Sequence, residues 1–340
     1  MVLRLLKFNF IKEIKLLIFK KFPSLENHYR ENVVHKARDM GLEDTLYIIT
    51  EKLHGANFSF HVLVRDGIAV AAKPAKRTDF IEDGESFYGC RTVVARYESQ
   101  IKDLAERFAA LHRKDDALVV VYGELFGGRV QAGMSYPKEQ DFAVFDLTVN
   151  ELPVNKVVLS SVCDAVGVPF VPILGVRTSL TEALAFEESF ESKLTCPEFN
   201  GPEENKEAEG IVIEPTQPAF FPCGSRVYFK KKTKRFLERG GNKIAKPVVV
   251  LNEDLQGIFD EALEYVTNNR FNAVVSKIGE VSIKDIGRLT GLMTQDILID
   301  MASDGVKDPD RYGSAVEVNK FMKTLQQSVQ NFIRPILLSV

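Results

Sequence analysis

A lysine can act as a covalent nucleophile when its amine is held neutral, and the stretch Glu51-Lys52-Leu53-His54-Gly55-Ala56-Asn57 sets one between two β-prone runs. Ile48 and Ile49 before it and Phe58 and Phe60 after it are apolar enough to bury the flanks, which places Lys52 at the mouth of a sheet core. A lysine there either snorkels or does chemistry. Chemistry requires its pKa to fall, through desolvation or nearby positive charge. Lys230 and Lys232 supply such charge if their strand lies alongside, and a bound divalent cation would do the same. Both lysines fall on one face of that strand, whereas Lys231 points away and reads as a solvated charge.

The surrounding pattern shows what must hold these residues. Residues 45–73 read as a strand, a short loop and a hairpin: Phe58, Phe60, Val62 and Val64 alternate, and Asp66-Gly67 turns the chain into Ile68-Ala69-Val70. Residues 117–125, 141–147, 210–214 and 226–232 read as strands, and residues 90–113, 156–166 and 181–194 as helices. Strands dominate without βαβ alternation, which predicts an α+β fold with mainly antiparallel sheets. After Pro247 the apolar period becomes helical: Leu255, Phe259, Leu263, Val266; then Ile286, Leu289, Met293, Ile297; then Phe321, Leu325, Val329, Phe332, Ile336. The Gly240-Gly241-Asn242 turn marks the boundary, so the chain divides into an extension (1–18), a sheet domain (19–245) and a small all-helical domain (246–340).

The 340 residues fit about two domains at roughly 150 residues each. With 45% apolar and 27% charged residues, the composition excludes a disordered, collagen-like or coiled-coil chain. No apolar run approaches the ~20 residues of a membrane span, so no stable membrane insertion is expected. A net charge of -3 excludes a generic polycation, so any nucleic-acid contact must be local. Charge is segregated: nine acids face Lys193 and Lys206 between Glu182 and Glu209, and nine basic residues face Glu238 alone between Arg226 and Lys246. Cys90, Cys163, Cys196 and Cys223 form no CxxC pair, which fits a reducing compartment, and His28, His35, His61 and His112 lack metal-ligand spacing. Asn57-Phe58-Ser59 is formally a glycosylation sequon, discounted because it falls inside the lysine motif. In residues 1–18, Arg4, Lys7, Lys12 and Lys15 share one helical arc opposite Leu3, Leu6, Phe10, Ile14 and Leu17, as in an organellar targeting helix, a membrane-surface helix or an extra surface helix. An intracellular setting, cytoplasmic or the host cytosol of a virus, is expected, with organellar import through residues 1–18 left open.

The motif EKxHGxN of residues 51–57 is followed by Lys76-Arg77, Tyr122-Gly123-Glu124-Leu125-Phe126-Gly127-Gly128, Asp141 to Asp146, Ala208-Glu209-Gly210-Ile211-Val212-Ile213 and Phe229-Lys230-Lys231-Lys232. In order and spacing this set resembles the RNA ligase 2 family of ATP-dependent polynucleotide ligases, within the covalent nucleotidyltransferase superfamily, and is similar to RNA-editing ligases. His54, where DNA ligases and capping enzymes usually have Asp, favours the RNA branch. Residues 19–29 resemble the start of the family's core, and the likeness covers about residues 19–240.

The resemblance implies an antiparallel-sheet nucleotidyltransferase (ATP-grasp-like) domain that carries an adenylyltransferase activity, followed by a helical RNA-binding domain. It implies an ATP-dependent RNA ligase that joins a 3′-hydroxyl to a 5′-phosphate end, expected at nicks in duplex RNA during repair or editing. Lys52 would take AMP from ATP, pass it to the 5′-phosphate, and AMP would leave when the 3′-hydroxyl attacks. These are phosphoryl transfers, governed by positioning and charge stabilisation. Glu51, Lys52, Asn57, Arg77, Glu124, Phe145, Glu209, Lys230 and Lys232 would bind ATP or AMP. Glu124 would accept from the ribose hydroxyls, Phe145 would stack on adenine, and Arg77 would grip a phosphate. His54 and Asn57 would orient the reacting ends, and Lys76, Arg77, Asn57, Lys234 and Arg235 would contact RNA. Glu209 would hold Mg2+ through water, with Mn2+ able to substitute. The resemblance further implies a monomer that a protein partner can assist. Phe145 also fits plain core and His54 a hydrogen-bonded turn. A DNA ligase or capping guanylyltransferase is the alternative enzyme, although those follow the last lysine motif with a β-rich domain. A non-enzymatic RNA-binding module on the same fold is the third reading.

Overall fold

A computed structural model describes residues 17–128, 130–131, 133–195, 206–240 and 251–339. The chain forms two compact units, Met1–Arg235 and Phe236–Val340. In the first unit the elements are β1 (Glu26–Asn27), α1 (Glu31–Asp39), β2 (Tyr47–Lys52), β3 (Ala56–Arg65), β4 (Ile68–Lys76), α2 (Arg91–Leu111), β5 (Ala117–Gly127), β6 (Gln140–Val149), β7 (Leu152–Pro153), α3 (Lys156–Val166), β8 (Ile173–Arg177), α4 (Leu180–Leu184), β9 (Gly210–Pro215) and β10 (Phe229–Lys232). They build two five-stranded sheets, ordered β1-β10-β9-β2-β8 and β4-β3-β5-β6-β7. Neighbours are antiparallel except the short β1–β10 pair, so the unit is α+β with antiparallel sheets.

Alternation decides the faces. Phe58, Phe60, Val62 and Val64 of β3 enter one core with Val119 and Val121 of β5 and Phe142 and Val144 of β6. α2 covers that face with Val93, Ile101, Leu104 and Phe108, which recur at helical spacing. Tyr47 and Ile49 of β2 pack with Ile211, Ile213 and Phe229 beneath α1. Asp66 and Gly67 both take positive φ (49° and 75°), as a tight hairpin with right-handed twist requires. The other face of the β3–β5–β6 sheet is covered by an N-terminal strap. Leu17 packs on Leu63 and Ala71, the Phe19 ring stacks on His61, and Phe22 joins Tyr122, Val120 and Tyr228. Among the described residues the core begins at Leu17, within the expected extension; residues 1–16 of that amphipathic segment lie outside the described residues.

Two expected elements come out shorter. The helix expected over 181–194 stops at Leu184. The chain beyond it gives the carbonyls of Leu184 and Phe186 and the carboxylate of Glu188 to Lys231, and Ser192 and Lys193 to Glu51, which a helix could not do together. The strand expected from 226 begins at Phe229, because Arg226 and Tyr228 turn into a buried charge cluster.

The second unit holds α5 (Glu253–Leu263), α6 (Asn268–Ile278), α7 (Ile286–Ser303) and α8 (Ala315–Leu338). Phe259, Leu289, Met293, Ile297, Phe321, Leu325 and Val329 form its core. At the end of α8 Ile333 and Leu337 are the fully buried residues, and the expected Phe332 and Ile336 are partly buried against the same core, so the apolar face widens there. The boundary falls at 235/236, about ten residues before the expected one. Asn269 and Thr267 donate to the carbonyls of Leu237 and Glu238, and Gly240 donates to Glu264, so residues 236–240 belong with the helices. The fully buried Arg270 binds Asp296 and Asp300 at 2.8 Å each and the Tyr265 carbonyl at 3.0 Å. Among the described residues no helix is long and apolar enough to cross a membrane.

Candidate active site

The pleat of β2 sends Glu51 and Lys52 to opposite faces. Both oxygens of the buried Glu51 are taken by the loop behind the sheet, from the Ser192 hydroxyl and from the Lys193 N–H at 2.9 Å. Burial raises its pKa against those two donors. Lys52, half-buried on the other face, ends its strand beside β9, with Gly210 as its register partner. Gly210 is also the register partner of Lys232 on β10. A Cβ at Gly210, whose φ is +147°, would lie 2.0 Å from the Lys231 carbonyl oxygen, so only glycine lets the three strands close here.

That closure brings the charges together. Glu209, one residue before β9, takes Lys52 Nζ at 2.7 Å and Lys232 Nζ at 2.9 Å on the same Oε1, and its Oε2 is 3.4 Å from His54 Nδ1. Burial works to raise the Glu209 pKa, but Lys232, Lys52 and His54 together hold it well below the usual range. The Thr233 N–H donates to the Glu209 carbonyl at 3.0 Å and fixes the backbone. Lys230 lies two residues before Lys232 on β10. Lys231, expected to be solvated, is instead tied to Glu188 at 2.8 Å and to two carbonyls.

The turn from β2 to β3 carries the site across to the second sheet. A Cβ at Gly55 would meet the Leu125 carbonyl oxygen at 2.2 Å, so the turn lies directly on the β5 backbone. The Gly55 N–H donates to the Glu124 carboxyl, and the His54 N–H donates to the Tyr136 hydroxyl at 3.2 Å. Glu124 sits opposite Asn57 in the β3–β5 register. Its pKa is pushed up to about 8, first by burial and then by the charge of Glu209, against the pull of Lys52 and Arg77. Arg77 follows the end of β4 within electrostatic reach of Glu124, whereas neighbouring Lys76 is ion-paired to Glu85. Phe145, half-buried, lies edge-on to Phe22 at 4.8 Å between ring centroids, at the rim of the aromatic cluster between the sheets. Lys234 and Arg235 are exposed just beyond β10. The structure thus brings Lys52, His54, Glu124, Arg77, Glu209 and Lys232 into one charged cluster, and it turns Glu51 and Lys76 to other partners.

Several supporting residues escaped sequence reading. Tyr136 and Ser192 carry no motif signal. Behind Phe145, the carboxylates of Asp146 and Glu214 meet Lys156 and Arg226 in a buried four-charge cluster. Tyr228 donates to Asp146 at 2.6 Å, and Lys156 donates to the Phe145 carbonyl. Against the cost of burial, Lys156 and Arg226 keep Asp146 below its usual range; burial raises Glu214. The expected basic run is therefore not one surface: Arg226 is buried, Lys232 faces Glu209, Lys231 faces Glu188, and Arg239 pairs with Glu261 and Glu264 in the helical unit. Lys243 and Lys246 lie outside the described residues.

The RNA ligase family profile matches residues 45–232, more than half of the chain and the whole span from β2 to β10. The chain belongs to the RNA ligase family. The helical unit of this family member matches, over residues 249–331, the profile of the T4 RNA ligase 2 C-terminal domain. RNA-editing ligase 2, mitochondrial, of Trypanosoma brucei brucei is 27% identical over 112 residues, covering 33% of this chain and 26% of that protein. RNA-editing ligase 1, mitochondrial, of the same organism is 25% identical over 84% of this chain and 73% of that protein. A Naegleria gruberi RNA ligase mutant solved with ATP and Mn superimposes with a TM-score of 0.45 at 18% identity, over 65% of this chain and 58% of that one. The chain therefore spans about a quarter of the first relative and under two thirds of the Naegleria protein.

Proposed function

We propose that this chain is an ATP-dependent RNA ligase that joins a 3′-hydroxyl RNA end to a 5′-phosphate end at nicks in duplex RNA. The carrying observation is the convergence of Lys52 and Lys232 on one buried carboxylate, Glu209, at 2.7 and 2.9 Å. Lys52 is the nucleophile: as the neutral amine its nitrogen forms a bond to the α-phosphorus of ATP as the bond to pyrophosphate breaks, and the one proton the nitrogen sheds passes to solvent. Lys232, with Lys230 on the same strand, neutralises the charge that builds on the phosphates. Glu124, uncharged below about pH 8, both donates to and accepts from the ribose hydroxyls. Asn57 and Arg77 flank the same end of the sheet, and His54, fixed through its N–H to Tyr136, orients the reacting end. Phe145 offers the exposed part of its ring to the base, and its carbonyl is pinned by Lys156. Glu51 serves the site indirectly, by anchoring the 192–193 loop behind the nucleophile strand.

The donor set fits a magnesium ion. Glu209 is a strongly ionised carboxylate, and magnesium takes as few as one protein carboxylate while keeping its waters. When bound there it would spread the charge of the triphosphate. The three-carboxylate group of Glu238, Asp296 and Asp300 is filled by the Arg270 guanidinium instead. Lys76, Arg77, Asn57, Lys234 and Arg235 are proposed to meet RNA, and repair or editing is the proposed setting. The chain acts as a monomer that a partner protein can assist.

Incubation with ATP and magnesium followed by mass spectrometry tests this directly. The protein should gain one AMP, mapped to Lys52, and Lys52→Ala should gain none. Label transfer from GTP alone would point to a capping enzyme, and equal sealing of nicked duplex DNA would remove the RNA-specific claim.

A further inference from the structure

We propose that Lys156 is a positioning residue for the nucleotide: it fixes the stretch of backbone that presents Phe145 to the base, and so sets how tightly ATP is held without touching it. This deepens the ligase reading above and rests on it. The origin is a break in strand alternation. β6 sends Phe142, Val144, Leu147 and Val149 into the helix-covered core, at spacings of two, three and two residues. A regular strand keeps to two. The pairing with β5 shows which residue is extra. Tyr122 stands opposite Asp146 and the next residue, Gly123, opposite Val144, so Phe145 is left over as a β-bulge. The bulge puts two chain neighbours on the same side of the sheet. Phe145 joins the cluster of Phe22, Tyr122 and Tyr228, and Asp146 accepts from the Tyr228 hydroxyl at 2.6 Å.

The extra residue of a bulge falls outside the ladder, so its backbone must be held by something else. Lys156 supplies the hold, since its Nζ donates to the Phe145 carbonyl. The root of that side chain is itself fixed: Lys156 opens α3, and the Asn155 side chain caps the helix by accepting from the Val157 and Val158 N–H groups. The same buried ammonium meets Glu214 at 3.0 Å and Asp146 at 3.7 Å. Charge balance is already met within the cluster, where two carboxylates face Lys156 and Arg226. The third donor of the ammonium goes to a neutral oxygen, the carbonyl of the bulged residue. The Phe145 ring above it leans on Phe22 at 4.8 Å and is only half-buried. Packing on one side leaves its aim to the backbone, and Lys156 holds that backbone.

The test reads single-turnover AMP uptake by the full-length chain over a range of ATP concentrations. Removing Lys156 alone would leave two buried carboxylates against one guanidinium, so the charge is balanced first. Glu214→Gln is the reference, and Glu214→Gln combined with Lys156→Met is compared with it. The reference should need as much ATP as the parent, because Lys156 still holds Phe145. The pair should need at least about tenfold more ATP for half-maximal uptake, in keeping with the worth of base–aromatic stacking. Its rate at saturation should stay within about threefold, as expected when binding common to the ground and transition states is lost. With Phe145→Ala added to both, the shift caused by Lys156→Met should vanish, because residues that act through one another are not additive. Lys156→Arg, which keeps the charge and displaces the donor, should shift half-maximal uptake in the same direction, and it serves if thermal melts show the pair to be unfolded. Unchanged half-maximal ATP in the folded variants would overturn the proposal. So would a loss confined to the saturating rate, a reference shifted as far as the pair, or a shift undiminished once Phe145 is alanine. A parent that takes no AMP at any ATP concentration would instead overturn the ligase reading itself.

Discussion

Glu209 holds Lys52 and Lys232 on one carboxylate oxygen and faces His54 with the other, so small changes around it have unequal effects. Lys232 and Lys231 are chain neighbours with opposite surroundings, and replacing each separates chemistry from architecture. Lys232→Ala removes a cation from the nucleophile's partner and should slow AMP uptake by about 10²–10³-fold, the cost typical of losing one preorganised charge-stabilising group. Lys231→Ala frees Glu188 and the carbonyls of Leu184 and Phe186 and should leave AMP uptake within a few-fold. It should instead lower stability by about 1–2 kcal/mol. Rates from labelled ATP and thermal melts of both variants check this, and equal loss of AMP uptake would refute the division of labour. Lys231 also shows the limit of reading single residues. Strand alternation gives its direction, but nothing local announces that the chain from Leu184 to Glu188 waits there to receive it.

At the level of elements, the strap over residues 17–22 is fastened by a buried histidine. The Lys20 N–H donates to His61 Nε2 at 2.9 Å, Phe19 stacks on the ring, and the Tyr122 hydroxyl donates to the Lys20 carbonyl at 3.2 Å. Burial lowers the His61 pKa to about 4. The folded state therefore keeps His61 neutral where the unfolded chain, titrating near 6.5, takes up a proton. Stability from this group is complete above about pH 6.5 and is lost as pH falls toward 4, by up to about 3 kcal/mol. Melting curves of the parent and of His61→Phe across that range should diverge progressively toward acid, and a constant difference would sink the idea. The hairpin that carries His61 was legible, because Phe58 to Val64 alternate and Asp66-Gly67 supplies two positive φ angles. The lysine motifs were legible too, because each is a short run. The charge cluster of Asp146, Lys156, Glu214 and Arg226 was not. Its members lie on separate elements, and each looks locally like an ordinary surface charge until the sheets close.

Across the whole molecule, each unit has a hydrophobic core of its own, and the proposed nucleotide-binding residues all belong to the first. A fragment ending at Arg235 should fold and still take AMP at Lys52, while its affinity for duplex RNA falls. Circular dichroism, intact mass and anisotropy test this, and a fragment that folds but takes no AMP would place part of the first step in the helical unit. The change to helical period was visible after Pro247, but the seam at 235/236 was hidden, since it depends on Leu237, Glu238 and Gly240 pairing with helices that begin some 15–30 residues later. Phe22, among the earliest described residues, packs on Tyr228, next to the last strand of its unit. On the ribosome, then, the site of the early-made Phe22 is not complete until that late tyrosine has emerged, roughly 10–40 s afterwards at ~5–20 residues per second. For that interval Phe22 has Val120 and Tyr122 to pack on but lacks one wall of its site, and a nascent chain stalled before residue 228 would leave that side of the ring open to chaperones.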